Sequence, residues 1–277
     1  MQSKKANAII FLCLCVVAAA FLVPLVVVLI NSFKSSFYIS SAPFKLPDSE
    51  TFNGFANYIN GLTTAGFLAA FFRSVFITVV SVVLIVVCTA MSAWYITRVK
   101  TKLSGFLYYL FVFSMIVPFQ MVMYTMTYII NKVNLDSVFL IPIVYLGFGA
   151  GLSVFIISGF VKSIPLEIEE AATIDGCNPL QSFFMVIFPI LKPTAITVAI
   201  LNAMWIWNDY LLPYLVLGTD DKTIPVAIQI AMQGAYGATD YGGLMAMLVL
   251  AIIPIVVFYL LCQKYIIKGV IAGAVKG

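Results

Sequence analysis

Residues 74–97 have the sequence SVFITVVSVVLIVVCTAMSAWYIT and contain no charged side chain. A helix that crosses a membrane needs about 20 mostly apolar residues, and this stretch is long enough to be one. Transmembrane β-strands instead alternate apolar and polar side chains over about ten residues, whereas Val79–Val87 is apolar at every position except Ser81. The sequence therefore predicts a helix that spans a bilayer.

The composition of the whole chain agrees with this prediction. Of its 277 residues, 63% are hydrophobic and 9% are charged, and the mean hydropathy is +1.10. Soluble domains are about 45–50% apolar and about 25% charged, and a soluble fold would have too few polar residues here to cover so much apolar surface. These values exclude a typical cytosolic enzyme, a secreted disulfide scaffold and a disordered chain.

Long stretches without charge recur along the chain. They predict six transmembrane helices near residues 8–30, 70–97, 104–130, 138–160, 186–212 and 243–265. The predicted fold class is an all-α membrane protein, with one transmembrane domain over residues 1–277. The first span follows Lys4 and Lys5 as a signal peptide would, but its apolar run continues to Ile30. That run is longer than the 7–15 residues of a signal-peptide core, so we expect it to be retained as an anchor.

The charges between the spans predict how the chain is oriented. Six spans place both termini on one side of the membrane. If that side is the cytoplasm, ten of the 15 lysines and arginines lie inside, as the positive-inside rule requires. Loop 161–190 is then cytoplasmic, and loops 31–69 and 213–242 are extracytoplasmic. The net charge of +4 reflects this orientation, and nothing supports a nucleic-acid partner.

Residues and motifs typical of catalytic, metal-binding or nucleotide-binding sites are scarce. The chain has no histidine, no C-x-x-C pair and no Walker-type phosphate loop. We therefore expect no catalytic residue, no metal site and no cofactor bound by this chain. If the protein moves a solute uphill, the energy must come from an ion gradient or from a partner.

Loop 161–190 contains a cluster of acidic residues. Four of the eleven acids lie within nine residues: Glu167, Glu169, Glu170 and Asp175. Pro165 is typical of the first turn of a helix, acids near the N-terminus stabilise it, and Gly176 is placed to end it. A second helix is predicted to start at Asn178 and Pro179. The alternative is a helix resting on lipid headgroups, but such helices are usually rich in Lys and Arg.

The spacing in this loop resembles a known family. Glu170-Ala171-Ala172, three residues, Gly176, nine residues and then 186–189 (VIFP) resemble the EAA loop of binding-protein-dependent ABC importer permeases. Phe188 stands where the family has leucine and keeps the apolar character. Residues 207–210 (WNDY) followed by Pro213, and the tail 269–277, are similar to the carbohydrate branch, in particular to the smaller permease of maltose-type importers.

The resemblance implies the type I ABC importer permease fold and a place in a bacterial cell membrane. The chain would form half of the translocation pathway of an ATP-driven importer of di- or oligosaccharides. Its partners would be a second permease, expected to be a distinct paralogue, two ATPase subunits that hold ATP and Mg²⁺, and an extracytoplasmic sugar-binding protein. One alternative is a permease for another solute, such as a polyamine, phosphate or amino acid. Another is a stand-alone ion-coupled carrier, which would normally carry intramembrane acids or inverted repeats.

The resemblance also implies roles for named residues. ATPase coupling is expected at Glu169, Glu170, Ala171, Ala172, Asp175, Gly176 and Pro189. Glu170 would be the polar contact, the two alanines would allow close approach and Gly176 would make the bend. A contact of the tail with the ATPase is expected at Gly273, Lys276 and Gly277. A loop directed to the binding protein is expected at Gln233, Gly234, Tyr236 and Gly237. The alternatives are a charged terminus that only favours the orientation and a solvated connector.

Polar residues in the spans are candidates for lining the pathway: Gln120, Asn202, Trp207, Asn208 and Asp209. A charge inside the membrane is expensive, which makes Asp209 a functional candidate. The structural alternative is that Asp209 caps a helix or pairs with Arg73. Gln120 and Asn202 are typical of hydrogen bonds between helices, and the tryptophan also suits an aromatic belt at the membrane surface.

Overall fold

A computed structural model describes residues 4–63, 66–233 and 239–274. The regular structure in these ranges is helical, and extended pairing within them is limited to an isolated bridge between Lys34 and Phe52. The helices are α1 (Lys4–Asn31), α2 (Ser36–Ser41), α3 (Ala56–Thr63), α4 (Phe67–Arg98), α5 (Lys102–Ser114), α6 (Phe119–Lys132), α7 (Ile141–Val161), α8 (Glu167–Ile174), α9 (Pro179–Gln181), a π-helical segment (Ser182–Ile187), α10 (Phe188–Asn208), α11 (Leu211–Leu217), α12 (Ile224–Gln233) and α13 (Tyr241–Ala274).

Five stretches of helix in these ranges are long and apolar enough to cross a membrane: Asn7–Asn31, Phe67–Arg98, Ile141–Val161, Pro179–Asn208 and Tyr241–Tyr265. The fourth stretch joins α9, the π-helical segment and α10 into one continuous helix. Helices α5 and α6 give a sixth span if they are counted together. The expected all-α membrane fold is therefore present.

The predicted span near 104–130 is divided into two helices. Helix α5 ends at Ser114 and α6 begins at Phe119, and the two axes differ by 107°. The break contains Pro118, whose backbone is extended with ψ at 137°. Proline has no N–H to donate and disfavours the helical conformation of the residue before it. The pattern of charges could not reveal this break, although the proline itself was visible in the sequence.

The segment 213–242, predicted as a loop between two spans, contains helices of its own. This segment contains most of α11 and all of α12, and Ile224 at the start of α12 is only 2% exposed. Pro225 occupies the first turn of α12, where a missing N–H costs nothing. Loop 31–69 contains two short helices, α2 and α3.

The described residues fall into two compact units, of which the first comprises 1–70 and 226–256. In this unit the Asn57 side chain donates to the backbone oxygens of Ser32 and Lys34, at 2.9 and 2.7 Å. Lys34 is fully buried and its Nζ donates to the carbonyl oxygen of Ala42 at 2.9 Å. Burial, followed by the positive charge of Lys45, lowers the pKa of Lys34. These bonds fix the chain that leaves α1.

The second unit comprises 71–225 and 257–277, and α7 lies at its centre. Two glycines of α7 let neighbouring helices come close. A Cβ on Gly149 would lie 2.6 Å from Ile85 Cδ1, and a Cβ on Gly151 would lie 2.7 Å from the carbonyl oxygen of Phe111. The backbone oxygen of Phe111 cannot move aside as the end of the Ile85 side chain can, so glycine is required at 151, where α7 packs directly against α5.

Candidate functional site

Helix α8 carries most of the residues expected to contact an ATPase. Three glutamates lie in its first turn, where the positive end of the helix dipole favours them. It ends at Gly176, whose φ is +85°. The N–H of Gly176 donates to Thr173 O and the N–H of Cys177 donates to Ala172 O, both at 3.0 Å. This pair of bonds is a Schellman motif, in which a left-handed residue ends the helix, as Gly176 was expected to do.

Glu169 fastens α8 to the end of α4. Its Oε1 lies 2.6 Å from Arg98 Nε, and its Oε2 accepts a hydrogen bond of 3.0 Å from Trp94 Nε1. The two side chains of the ion pair are 18% exposed for Arg98 and 12% for Glu169. Arg98 Nη2 also donates to the carbonyl oxygen of Ile164, just before α8, at 2.9 Å. Both carboxylate oxygens of Glu169 are thus held within the chain.

Trp94 extends this connection to the π-helical segment. Its ring centroid lies 5.6 Å from that of Phe183, whose side chain is fully buried. Helix α9, which leads into the π-helical segment, starts at a capping box in which Asn178 and Gln181 exchange two hydrogen bonds of 2.9 Å. Helices α4 and α8 and the π-helical segment are therefore packed into one body.

Sequence reasoning missed Arg98 and Trp94 as parts of this site. They are separated from Glu169 by 71 and 75 residues, so no local pattern connects them to it. One signal was present: the two residues lie four positions apart at the end of a predicted span, and residues at that spacing share a helix face.

Most of the other residues expected to contact the ATPase are exposed. Glu170, Ala171 and Asp175 are exposed, and Pro189, the second residue of α10, is exposed as well. Ala172 is only 6% exposed, so it packs inward. The expectation that both alanines offer close approach to a partner therefore needs correction, because Ala171 alone is accessible.

Asp209 lies between α10 and α11 and uses both of its oxygens within the chain. Tyr145 Oη donates to Oδ2 at 3.0 Å, and the N–H of Leu211 donates to Oδ1 at 3.1 Å. The alternative pairing of Asp209 with Arg73 is wrong, because Arg73 Nη2 lies 2.9 Å from Asp221 Oδ1. The geometry of Asp209 is that of a structural connection between α7, α10 and α11.

The other candidates for the pathway, apart from Gln120, each make a contact of their own. Asn202 is buried and donates to Ser153 Oγ on α7 at 3.1 Å, which is the expected bond between helices. The Trp207 ring packs edge-on against Phe71, with centroids 6.2 Å apart. Asn208 donates to Met204 O in its own helix at 2.7 Å, and Gln120 is exposed at the start of α6.

The remaining expected contact residues are covered only in part. Gln233 is the exposed last residue of α12, whereas Gly234, Tyr236 and Gly237 lie outside the described residues. Gly273 belongs to α13, and Lys276 and Gly277 lie outside the described residues. Within the described ranges, no three His, Cys, Asp or Glu side chains come together as a metal site.

Comparison with known proteins places this arrangement in a family. The family described as "Binding-protein-dependent transport system inner membrane component" matches residues 85–272. The chain is 37% identical over 254 residues, 91% of each protein, to the probable starch degradation products transport system permease protein AmyC of Thermoanaerobacterium thermosulfurigenes. It is 35% identical, over 92% of each protein, to the multiple sugar-binding transport system permease protein MsmG of Streptococcus mutans.

Two further comparisons cover nearly the whole chain. The melibiose/raffinose/stachyose import permease protein MelC of Bacillus subtilis is 32% identical over 99% of this chain and 98% of its own. A crystal structure of a bacterial ABC transporter involved in the import of the acidic polysaccharide alginate superposes with a TM-score of 0.81, at 23% identity, over 96% of this chain and 98% of that chain. The expected permease fold and the resemblance to the carbohydrate branch are thereby confirmed. The chain belongs to the family of binding-protein-dependent transport system inner membrane components and is a permease subunit of the ABC transporter class, with no ATPase activity of its own.

Proposed function

We propose that this chain is one of two permease subunits of an ATP-driven importer of di- or oligosaccharides, and that α8 is the helix on which the ATPase acts. The relatives are named for starch degradation products, for multiple sugars and for melibiose, raffinose and stachyose. These names support a carbohydrate over a polyamine, a phosphate or an amino acid. Membership of a binding-protein-dependent family is at odds with a stand-alone ion-coupled carrier.

The link from Glu169 to Arg98 and Trp94 is the observation that carries the proposal. A helix that receives motion from a partner must be fixed to the spans it moves, because a loosely attached segment would absorb the motion. Glu169 provides that attachment on the inner side of α8, while Glu170 and Ala171 are exposed on its outer side. Helix α8 therefore has one surface for a partner and one for the rest of the chain.

The mechanism follows from these contacts. When the ATPase subunits close on ATP and Mg²⁺, they displace α8. The ion pair passes the displacement to the end of α4, and the Trp94–Phe183 contact passes it to the π-helical segment and α10. Helices that are packed closely in this way move together as a rigid body and do not deform continuously. The moving spans then open the pathway to one side of the membrane or the other.

The proposed orientation is the one that the charges predict, with both termini and α8 in the cytoplasm of a bacterial cell. We propose that the binding-protein contact involves Gln233, Gly234, Tyr236 and Gly237, and that the second ATPase contact involves Gly273, Lys276 and Gly277. We propose a distinct paralogue as the second permease, with one ATPase subunit bound under each permease.

Gentle purification of the tagged chain tests the proposal. We expect a second permease and an ATPase to copurify, and a disaccharide or an oligosaccharide with its binding protein to stimulate ATP hydrolysis. Glu170→Lys should reduce recovery of the ATPase severalfold. The same change at Glu50, which is exposed in the proposed extracytoplasmic loop, should leave recovery unchanged. Solute uptake driven by a sodium or proton gradient in vesicles without ATPase would overturn the proposal.

A further inference from the structure

A cavity of about 460 Å³ opens where α4 ends, α5 begins and α7 ends. We call it the basic cavity. Its polar lining includes Thr101, Ser104, Ser158, Lys100 and Lys162. Because these residues lie at or just beyond the ends of membrane-spanning helices, the basic cavity lies at the level of a membrane surface.

The lining of the basic cavity carries positive charge and no acid. Within the described residues, neither Lys100 nor Lys162 forms an ion pair. Lys162 Nζ lies 5.4 Å from the centroid of the Tyr108 ring, an attraction that positions the ammonium group without neutralising it. Two like charges that share one cavity repel each other, and an anion between them removes the repulsion.

Two further features favour an anion in the basic cavity. Thr101 caps the N-terminus of α5, where its side chain accepts from the N–H of Ser104, and the helix dipole makes this end positive. Ser158 is 1% exposed and its hydroxyl has no hydrogen-bond partner among the described residues. A buried hydroxyl without a partner is costly, and rotation of the Ser158 side chain toward the cavity would give it a phosphate oxygen as acceptor.

A second cavity, of about 420 Å³, lies deeper along α4 and α5. We call it the apolar cavity. Its lining is mostly aliphatic and aromatic, and includes Met91, Trp94, Leu107 and Phe111. Ile96 lines both cavities, so the two adjoin. The basic cavity lies at the end of the spans, and the apolar cavity lies closer to the membrane interior.

We propose that the two cavities together bind one anionic phospholipid, with the phosphate between Lys100 and Lys162 and an acyl chain along Leu107 and Phe111. A free phosphate would account for the basic cavity alone, whereas a phospholipid accounts for both cavities and for their order. In the proposed orientation the lipid belongs to the cytoplasmic leaflet, whose anionic lipids attract basic residues. The acyl chain then packs against Trp94, the residue that also holds Glu169.

Native mass spectrometry of the detergent-purified full chain, with the subunits that copurify, tests the proposal. Phosphatidylglycerol should remain bound at least about tenfold more than phosphatidylcholine of the same chain length. The double substitution Lys100→Gln/Lys162→Gln should remove that preference. Lys192→Gln, which changes an exposed lysine outside both cavities, should keep it. The melting temperature of each variant separates loss of the site from loss of the fold.

Further binding measurements distinguish a bound lipid from a free anion. Dihexanoyl phosphatidylglycerol should bind severalfold more weakly than the long-chain lipid, and Leu107→Trp, which fills the apolar cavity, should abolish that difference. Inorganic phosphate that competes as strongly as the long-chain lipid would overturn the proposal. Equal retention of phosphatidylcholine, or equal loss of lipid in Lys192→Gln and in the double variant, would overturn it as well. Because these measurements involve neither ATP nor sugar, their result does not depend on the proposed transport function.

Discussion

Arg98 and Glu169 form an ion pair in which Arg98 Nε lies 2.6 Å from Glu169 Oε1, across 71 residues of sequence. Arg98 is the last residue of α4 and Glu169 is in the first turn of α8. The pair therefore joins a membrane span to the helix proposed to receive motion from the ATPase. If that is its role, breaking it should separate ATP hydrolysis from transport.

Glu169→Gln is expected to uncouple the importer. The substitution removes the charge from a pair that is largely buried but keeps the shape of the side chain. A double-mutant cycle with Arg98→Gln should give an interaction energy of about 1.5–3 kcal/mol, the range for hydrogen bonds to charged groups. We expect severalfold less sugar transported per ATP hydrolysed in the reconstituted complex.

Glu167→Gln is the control for this prediction, because Glu167 is exposed in the same turn of α8. It should leave the ratio of sugar to ATP unchanged. If Glu169→Gln transports as efficiently as this control, the ion pair is not part of the coupling path.

Gly176→Ala is expected to destabilise the end of α8 through the backbone alone. Gly176 has a φ of +85°, and a Cβ there would meet no atom within 4 Å. The left-handed conformation costs a residue other than glycine about 1–2 kcal/mol. Asparagine tolerates it better, so the order of transport activity should be glycine, then asparagine, then alanine.

Gly159→Ala provides the comparison for Gly176. It also has open space for a Cβ, but its φ is not positive. We expect it to leave uptake unchanged and to raise the melting temperature slightly, because alanine favours a helix more than glycine does. Equal effects of Gly159→Ala and Gly176→Ala would show that the left-handed turn after α8 has no special role.

Tyr145→Phe tests whether Asp209 is structural. The change removes the hydroxyl that donates to Asp209 Oδ2 at 3.0 Å and keeps the buried ring. Leaving a partly buried carboxylate with one bond fewer should lower stability by about 1 kcal/mol, seen as a lower melting temperature. The sugar concentration for half-maximal uptake should not change, whereas a severalfold increase would place Asp209 in the sugar pathway.

The sequence alone predicted the membrane class, because charge is expensive in a bilayer and its absence over 20 residues is visible. It also predicted the end of α8 at Gly176, since a left-handed residue after a helix has a local signature. The break at Pro118 was missed because prolines 24, 193 and 254 lie within helices that continue through them. A proline alone therefore does not determine whether a span breaks.

The contacts of the candidate site could not be predicted, because they join distant parts of the chain. The pairing of Arg98 with Glu169 and of Arg73 with Asp221 depends on how the spans pack. For Asp209, charge alone favoured Arg73 as a partner, but the residue that reaches it is Tyr145. The inward position of Ala172 could not be predicted for the same reason. Two adjacent alanines are chemically identical, and only the packing of α8 decides which of them is buried.

Gly151→Ala and Gly147→Ala should have opposite consequences, although both glycines lie in α7. A Cβ on Gly151 would lie 2.6 Å from Ser114 Oγ and 2.7 Å from the carbonyl oxygen of Phe111, whereas a Cβ on Gly147 would meet nothing within 4 Å. The Ser114 side chain can rotate away, but the backbone oxygen cannot, so α5 must shift. Such overpacking costs about 1–3 kcal/mol, while alanine at 147 gains up to about 1 kcal/mol of helix propensity. Thermal unfolding of the two variants should therefore shift in opposite directions, and equal shifts would show that α5 and α7 are not held together at Gly151.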